Sequence, residues 1–159
     1  MEIFTIGVYN STEKEFFEKL TTLKIDTFCD VRQRRGVRGS KYAFVNSIRL
    51  QKRLAELNIQ YLYEPGLAPT TEIRNLQKEV DLNLGEQKRD RQQLGKVFIL
   101  EFSNRIINKF DLTRFNSFLI SSGAKKVVFF CVEEFPNACH RSLVANKIRD
   151  EFNYEVKHL

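Results

Sequence analysis

The sequence predicts a single α/β domain, built on a mostly parallel sheet of about five strands with helices on both faces. Short apolar runs rich in β-branched and aromatic residues alternate along the chain with segments whose apolar residues recur every three or four positions. The first two runs bracket one helical segment, a pattern typical of a βαβ unit with parallel strands. The 159 residues suffice for one core and contain no linker or internal repeat, so the domain is expected to span residues 1–159.

The first half of the chain predicts three strands and two helices. Thr12 and Glu15 form a capping-box pattern that begins the first helix, and apolar residues follow at positions 16, 20 and 23. Asn46 or Ser47 caps the second helix, which has leucines at positions 50, 54 and 57. The strands are predicted over residues 3–8, 26–31 and 59–63.

The next part of the chain predicts helix. Residues 70–96 are strongly charged and indicate a surface helix with a mobile basic loop around residues 88–91. Residues 97–109 would permit a strand, but apolar residues four positions apart favour a helix. Asp111 then caps a further helix that ends at Gly123.

A strand over residues 127–131 and the helix after it are the pair around which the chain is organised. Pro136 and Asn137 end the strand, and Asn137 is placed to cap a helix whose apolar residues recur every fourth position. A last strand is predicted over residues 154–158.

The composition indicates an ordinary globular protein with a preference for anionic partners. Apolar residues make up 42% and charged residues 29% of the chain, and the net charge is +6. Positive charge suits an anionic small molecule or nucleic acid without proving either. No apolar run approaches the roughly 20 residues of a membrane span, and the first residues do not resemble a signal peptide. Three cysteines, an odd number, fit a reducing cytoplasm better than a disulfide scaffold, so a cytoplasmic protein is expected.

Side chains able to do chemistry follow three of the predicted strands. Gly7 and Asn10 come at the end of the first strand, and Asp30 and Arg32 at the end of the second. The segment 131–141 follows the strand that precedes the last helix. Because open parallel sheets bind ligands at the carboxyl ends of their strands, we expect these three groups to meet in one crevice.

The segment 131–141 predicts an anion site. Cys139, His140 and Arg141 are expected in the first turn of a helix, where free amides and the helix dipole favour negative charge. Arg141 adds a forked cation that suits phosphate or carboxylate, and Arg32 should lie beside it. The same surroundings should lower the pKa of the Cys139 thiol.

Two functions of different classes remain open. In the first, the protein is an enzyme on a nucleotide or nucleic-acid-derived substrate, with Glu133 or Asp30 as acid or base and Cys139 as nucleophile. In the second, it is a non-catalytic module that recognises a nucleotide or nucleic acid through the same pocket. Cys131 and His158 either contribute to this site or are structural residues.

No metal or cofactor is expected. The chain has neither the GxxxxGK[ST] phosphate loop nor the GxGxxG dinucleotide motif. Cys131 and Cys139 are eight residues apart, unlike a compact CxxC pair, and His158 is remote in sequence, which disfavours a metal site. Cys29 lies within a predicted strand and is expected to pack in the core.

Residues 32–41 form a basic segment. They hold five cationic side chains and are followed by Tyr42 and Phe44. Basic residues beside aromatic ones suit phosphate contacts and base stacking. The alternative for the three central arginines of this segment is a solvated, mobile loop.

The chain also carries a series of short motifs in a fixed order. They are Thr5-Ile6-Gly7 with Asn10, Asp30-Val31-Arg32, Tyr61 with Pro65-Gly66-Leu67, Cys131-x-Glu133, Pro136, Cys139-His140-Arg141, Val144-Ala145 and His158-Leu159. This series resembles the DUF488 family, a domain of unknown function. The resemblance implies an α/β fold, a helix at residues 97–109 and a site at these motifs, and it names no reaction. Val8 and the Leu67-Ala68-Pro69 turn depart from the family's pattern, so neither is assigned a role.

Overall fold

The sheet is five-stranded and entirely parallel. In a computed structural model that describes all 159 residues, the strands are β1 (Glu2–Ile6), β2 (Thr27–Asp30), β3 (Gln60–Tyr63), β4 (Lys126–Phe130) and β5 (Glu155–His158). Their order across the sheet is β3-β2-β4-β1-β5, and every neighbouring pair is parallel. The prediction of a mostly parallel sheet of about five strands is confirmed.

Six helices connect the strands, in agreement with the predicted alternation. They are α1 (Glu13–Thr22), α2 (Ser47–Glu56), α3 (Thr71–Leu84), α4 (Lys96–Arg105), α5 (Leu112–Ser121) and α6 (His140–Phe152). The ambiguous segment after residue 96 is helical, as its four-residue spacing favoured. None of these helices combines the length and the apolar character that crossing a membrane would require.

The helices cover both faces of the sheet, because neighbouring residues in a strand point in opposite directions. Phe28 and Phe130 pack in a cluster with side chains of α1 and α2. Cys29 and Phe129 pack on the other face, in a cluster with side chains of α3, α4, α5 and α6. A parallel sheet buried on both faces explains why its strands read as continuous apolar runs in the sequence.

Some of the predicted helix caps form and others do not. Thr12 and Glu15 form the expected capping box, and Asp111 accepts the backbone N–H of Arg114 at 2.9 Å. Asn46 occupies the capping position of α2, but its side chain makes no capping bond and accepts the backbone N–H of Val37 at 2.7 Å instead.

Asn137 does not cap α6, so that prediction is wrong. Pro136 begins a 3-10 turn that contains Asn137, and the helix starts only after Cys139, which occupies the capping position. The strand order then places the carboxyl ends of β2, β4 and β1 side by side.

Candidate functional site

A cavity of about 570 Å³ lies at the carboxyl ends of β2 and β4. Its wall is formed by the segments that follow β1, β2 and β4, together with α3 and the chain after it. The wall carries far more positive than negative charge. Its basic residues are Arg32, Arg34, Arg38, Arg74, Lys78, Lys88 and Arg91, and its acidic residues are Asp81 and Glu133.

Arg32 is buried in this wall and is held in one orientation. Its Nε and Nη2 donate to the two carboxylate oxygens of Asp30 at 2.8 and 2.7 Å, and its guanidinium lies 4.6 Å from the centre of the Phe130 ring. The remaining nitrogen, Nη1, is buried without a hydrogen-bond partner. A buried donor without a partner costs roughly 1–3 kcal/mol, so a rigid arginine with one free N–H group is suited to an anionic ligand.

Asp30 acts on Arg32 rather than on the cavity. The side chain is fully buried, and besides Arg32 it accepts the hydroxyl of Tyr61 at 2.9 Å. Burial is the main reason why the pKa of Tyr61 rises to about 12, and the Asp30 charge adds to it. Both oxygens of Asp30 are therefore occupied, which fits a positioning role for Arg32 better than the acid–base role considered from sequence.

Glu133 forms the centre of a buried charge cluster. Its Oε1 lies 3.2 Å from both Lys88 Nζ and Arg91 Nη2, and its Oε2 accepts a hydrogen bond from Cys131 Sγ at 3.2 Å. Burial opposes ionisation, but Lys88 and Arg91 outweigh it and hold the pKa of Glu133 well below its usual range. Partial burial opposes the charge of Lys88, whose side chain is 45% exposed, and Glu133 outweighs it, so the pKa of Lys88 is raised.

Arg91 is a site residue that the sequence did not reveal. A mobile loop was predicted here, and for Arg91 this is wrong, since only 6% of the residue is exposed. Its guanidinium donates to Asp81 at 2.7 Å, to Glu133 at 3.2 Å and to the carbonyl of Ala138 at 3.0 Å. The sequence carried only a weak indication of this cluster, since Gln77 and Asp81 are polar residues four positions apart. In the structure both are buried on α3, and the Gln77 amide donates to Asp81 at 2.7 Å.

Cys131, Cys139 and His140 form a second buried cluster next to Glu133. The Nε2 of His140 is 2.9 Å from the carbonyl oxygen of Val31, and its Nδ1 is 3.8 Å from Cys139 Sγ. The two cysteine Sγ atoms and a ring nitrogen of His140 lie within 4.8 Å of one another. Sulfur and imidazole groups thus meet at the point where β4 leads into α6.

The ionisation of this cluster follows from its neighbours. Burial opposes the Cys139 thiolate, but the adjacent Cys131 thiol and the charges of Arg141 and His140 outweigh it and lower the pKa of Cys139. The adjacent Cys139 sulfur and burial raise the pKa of Cys131 well above its usual value. For His140, burial lowers the pKa and the Cys139 charge outweighs it, so the pKa is raised.

Arg141 and Gly7 shape the loop after β4 from behind the cavity. Arg141 is fully buried and donates to the backbone carbonyls of Glu133 at 2.6 Å and Glu134 at 2.8 Å. A Cβ on Gly7 would come within 1.9 Å of the Glu133 carbonyl oxygen, so this close approach requires glycine. Asn10 also stabilises this loop, because its side-chain amide donates a hydrogen bond to the Glu134 carboxylate.

The structure therefore separates the residues expected at the site into four groups. Arg32, Cys131, Glu133 and His140 line the cavity. Asp30, Cys139 and Arg141 are buried behind that wall, while Gly7 and Asn10 support the adjoining loop. His158 lies at the edge of the sheet on β5, where its Nδ1 is 2.8 Å from Thr5 Oγ1, and it is not part of the cavity wall.

Comparison with known proteins identifies the family. The sequence matches the family described as domain of unknown function DUF488 over residues 12–148. The chain belongs to the DUF488 family. No curated protein and no solved structure matches the chain. The DUF488 match runs from the capping residue of α1 into α6, and so includes every residue of the cavity wall except Tyr9.

Proposed function

We propose that this DUF488 protein binds a phosphorylated ligand of nucleotide size in the cavity, with Arg32 as the central anion-binding residue. The observation that carries the proposal is the buried, unpartnered Nη1 of Arg32. Asp30 and Phe130 hold the guanidinium in place, so a ligand oxygen gains this hydrogen bond without ordering a flexible side chain.

The charge of the wall supports an anion. Both acids of the wall already have cationic partners, because Asp81 pairs with Arg91 and Glu133 pairs with Arg91 and Lys88. Arg32 pairs with Asp30, which is buried behind the wall. The other four basic residues of the wall form no ion pair with an acid. They are Arg34, Arg38, Arg74 and Lys78, and together they leave the cavity with an excess of positive charge. Such a field concentrates anions from solution.

The dimensions of the cavity favour a ligand larger than inorganic phosphate. A volume of about 570 Å³ lies within the roughly 300–1,000 Å³ range of small-molecule sites. The wall also includes Tyr9 and Tyr42, whose ring centres are 5.3 Å apart. Aromatic side chains beside basic ones are suited to a nucleobase joined to phosphate, in a free nucleotide or at the end of a nucleic acid.

A second candidate function is turnover of that ligand. The observation that favours it is the Cys139–His140 pair, in which an imidazole nitrogen lies 3.8 Å from the sulfur and the pKa of the thiol is lowered. In this alternative, Cys139 acts as nucleophile beside His140, whereas Glu133 is held ionised by its two cationic partners and is a poor acid or base. Only 1% of Cys139 is exposed and it lies behind the wall, so an enzyme would have to open the site between Cys131 and His140.

The test is a binding titration against nucleoside mono-, di- and triphosphates, with chemical analysis of each ligand afterwards. We expect Arg32→Lys and Arg74→Ala to weaken binding about ten- to a hundredfold, since a hydrogen bond to a charged group contributes roughly 1.5–3 kcal/mol. Arg49→Ala is the matched control, because Arg49 is an exposed arginine paired with Glu13 on the other side of the sheet. Equal affinity of all three variants would contradict the proposal, and a changed ligand would favour the enzyme.

A further inference from the structure

We propose that Cys131, Cys139 and His140 form a binding site for a thiophilic divalent metal ion of the zinc type, with Glu133 as a displaceable fourth ligand. The three donor atoms already lie within 4.8 Å of one another. None of the four residues is more than 5% exposed. Two thiolates and one imidazole are ligand types that Zn²⁺ prefers. In a tetrahedral site such atoms lie roughly 3.5–4 Å apart, so a small inward movement would bring these three within reach of one ion.

The orientation of His140 supports a ligand role. Its Nε2 lies 2.9 Å from the backbone carbonyl oxygen of Val31, so this nitrogen carries the proton and donates. In the neutral ring that a metal requires, the lone pair is on Nδ1, the nitrogen that faces Cys139 Sγ at 3.8 Å. Metal-binding histidines are commonly fixed in this way, with the other ring nitrogen bonded to a carbonyl or carboxylate.

The two cysteines are placed by rigid elements. Cys131 directly follows β4, and Cys139 occupies the capping position of α6 without making a side-chain capping bond. Its sulfur is therefore free of the helix and faces Cys131 and His140. The eight-residue separation that disfavoured a metal in the sequence is closed by the loop between β4 and α6, which Arg141 holds from behind.

The charge balance permits a divalent ion among the surrounding cations. Two thiolates and Glu133 supply three negative charges, while Lys88 and Arg91 contact only Oε1 of Glu133. Metal binding would replace the S–H proton of Cys131 by a sulfur–metal bond and would displace the Nδ1 proton of charged His140, and both protons go to solvent. The former acceptor of the Cys131 proton, Glu133 Oε2 at 3.2 Å, then becomes available to the ion. Hard ions such as Mg²⁺ prefer oxygen ligands only, so they should not compete.

The site adjoins the anion cavity, because Cys131, Glu133 and His140 line its wall. The two proposals are nevertheless independent. The phosphate proposal rests on Arg32 and the basic wall, whereas the metal proposal rests on the sulfur and imidazole atoms. If metal-free protein binds the anion, the phosphate proposal stands even when the metal proposal fails. If the protein retains metal but has no affinity for anions, the metal proposal stands and the phosphate proposal fails.

The first experiment measures metal content. Untagged protein is loaded with Zn²⁺, dialysed and analysed by mass spectrometry, and we expect about one zinc ion per folded chain. Cys139→Ser and Cys131→Ser should each lose most of it. Cys29→Ser is the matched control because Cys29 is equally buried but lies within β2, outside the cluster. Circular dichroism checks that each variant is folded.

The second experiment uses the wild-type chain and so does not depend on the folding of any variant. Co²⁺ is added to chelator-treated protein, and a near-ultraviolet thiolate-to-cobalt band with intense visible bands of tetrahedral cobalt is expected. Zn²⁺ should abolish these bands, and Mg²⁺ should not. Folded protein that neither retains zinc nor gives a thiolate band would overturn the proposal, as would a loss in Cys29→Ser equal to that in Cys139→Ser.

Discussion

Three buried arginines at the carboxyl end of the sheet have different surroundings. Arg91 bonds through all three nitrogens to Asp81, Glu133 and a carbonyl, and Arg141 donates to two carbonyls of the loop after β4. These two stabilise that loop from opposite sides. Arg32 and Arg141 each keep one buried nitrogen without a partner, Nη1 of Arg32 and Nε of Arg141, but only Arg32 belongs to the cavity wall. A buried arginine that donates mainly to protein carbonyls and carboxylates away from a cavity has a structural role. One that lies in a cavity wall with an unpartnered nitrogen is suited to bind a ligand.

Gly7 gives the sharpest prediction at the level of single residues. Gly7→Ala places a Cβ within 1.9 Å of the Glu133 carbonyl oxygen, so the loop after β4 must move. We expect a loss of about 1–3 kcal/mol in the free energy of unfolding, measured with urea, together with weaker ligand binding.

The control for this substitution is Gly36→Ala. A Cβ on Gly36 would meet only the Asn46 side chain at 3.9 Å, an ordinary contact, so its stability should change by less than about 0.5 kcal/mol. Equal effects of the two substitutions would show that the close approach at Gly7 has no special cost.

The sequence predicted elements far better than side-chain partners. Helix α4 could be inferred from Phe98 and Phe102 because helical periodicity is local. The roles of Arg91 could not, since its partners Asp81 and Glu133 lie ten and 42 residues away and nothing in the local pattern connects them. The contact between Cys131 and Cys139 depends on the same kind of long-range information. The sequence therefore predicted which types of residue lie at the strand ends, but it did not predict which side chains contact each other there.

The basic segment after β2 divides into residues that line the cavity and residues that do not. Arg34 and Arg38 belong to the cavity wall, whereas the guanidinium of Arg35 lies 4.2 Å from the centre of the Tyr63 ring. We expect the double variant Arg34→Ala, Arg38→Ala to bind a short single-stranded oligonucleotide with a smaller salt dependence. Each lost phosphate contact lowers the slope of log affinity against log salt by about 0.7.

The matched control removes the same charge elsewhere. Arg49 and Arg53 are exposed residues of α2, each paired with an acid, and their double alanine variant should keep the wild-type slope. If both double variants give the same slope, the basic segment after β2 has no particular contact with the phosphate backbone and only the net charge matters.

At the scale of the whole molecule, the order of the strands brings the site together. Placing β2 beside β4 makes neighbours of segments about 100 residues apart in the chain, so that Arg32 and Cys131 line one cavity. Parallel strands and helices on both faces followed from the sequence, but their order did not, because several arrangements bury the same apolar runs equally well. From the sequence, the strand ends could be predicted to meet only on the assumption that these strands are neighbours in the sheet.

The edge strand β5 gives the sheet a pH dependence of its own. The chain has only two histidines, and His158 is the one at this edge, bonded to Thr5 on β1 at 2.8 Å. Burial, followed by the charges of Arg141 and Arg149, lowers the pKa of His158 below its ordinary 6.5. Above that pH the imidazole is neutral in both the folded and the unfolded chain, so it contributes no pH dependence.

As the pH falls below 6.5, the unfolded chain takes up the His158 proton first, and the free energy of unfolding decreases until the folded-state pKa has been passed. We therefore expect wild-type protein to lose stability relative to His158→Asn as the pH falls, with no change in their difference above the ordinary histidine pKa. Urea unfolding of both proteins in the presence of a chelator measures this, and His140 contributes equally to the two curves. A constant difference across this range, or one that grows in favour of the wild type at lower pH, would show that His158 is not held in its neutral form at the edge of the sheet.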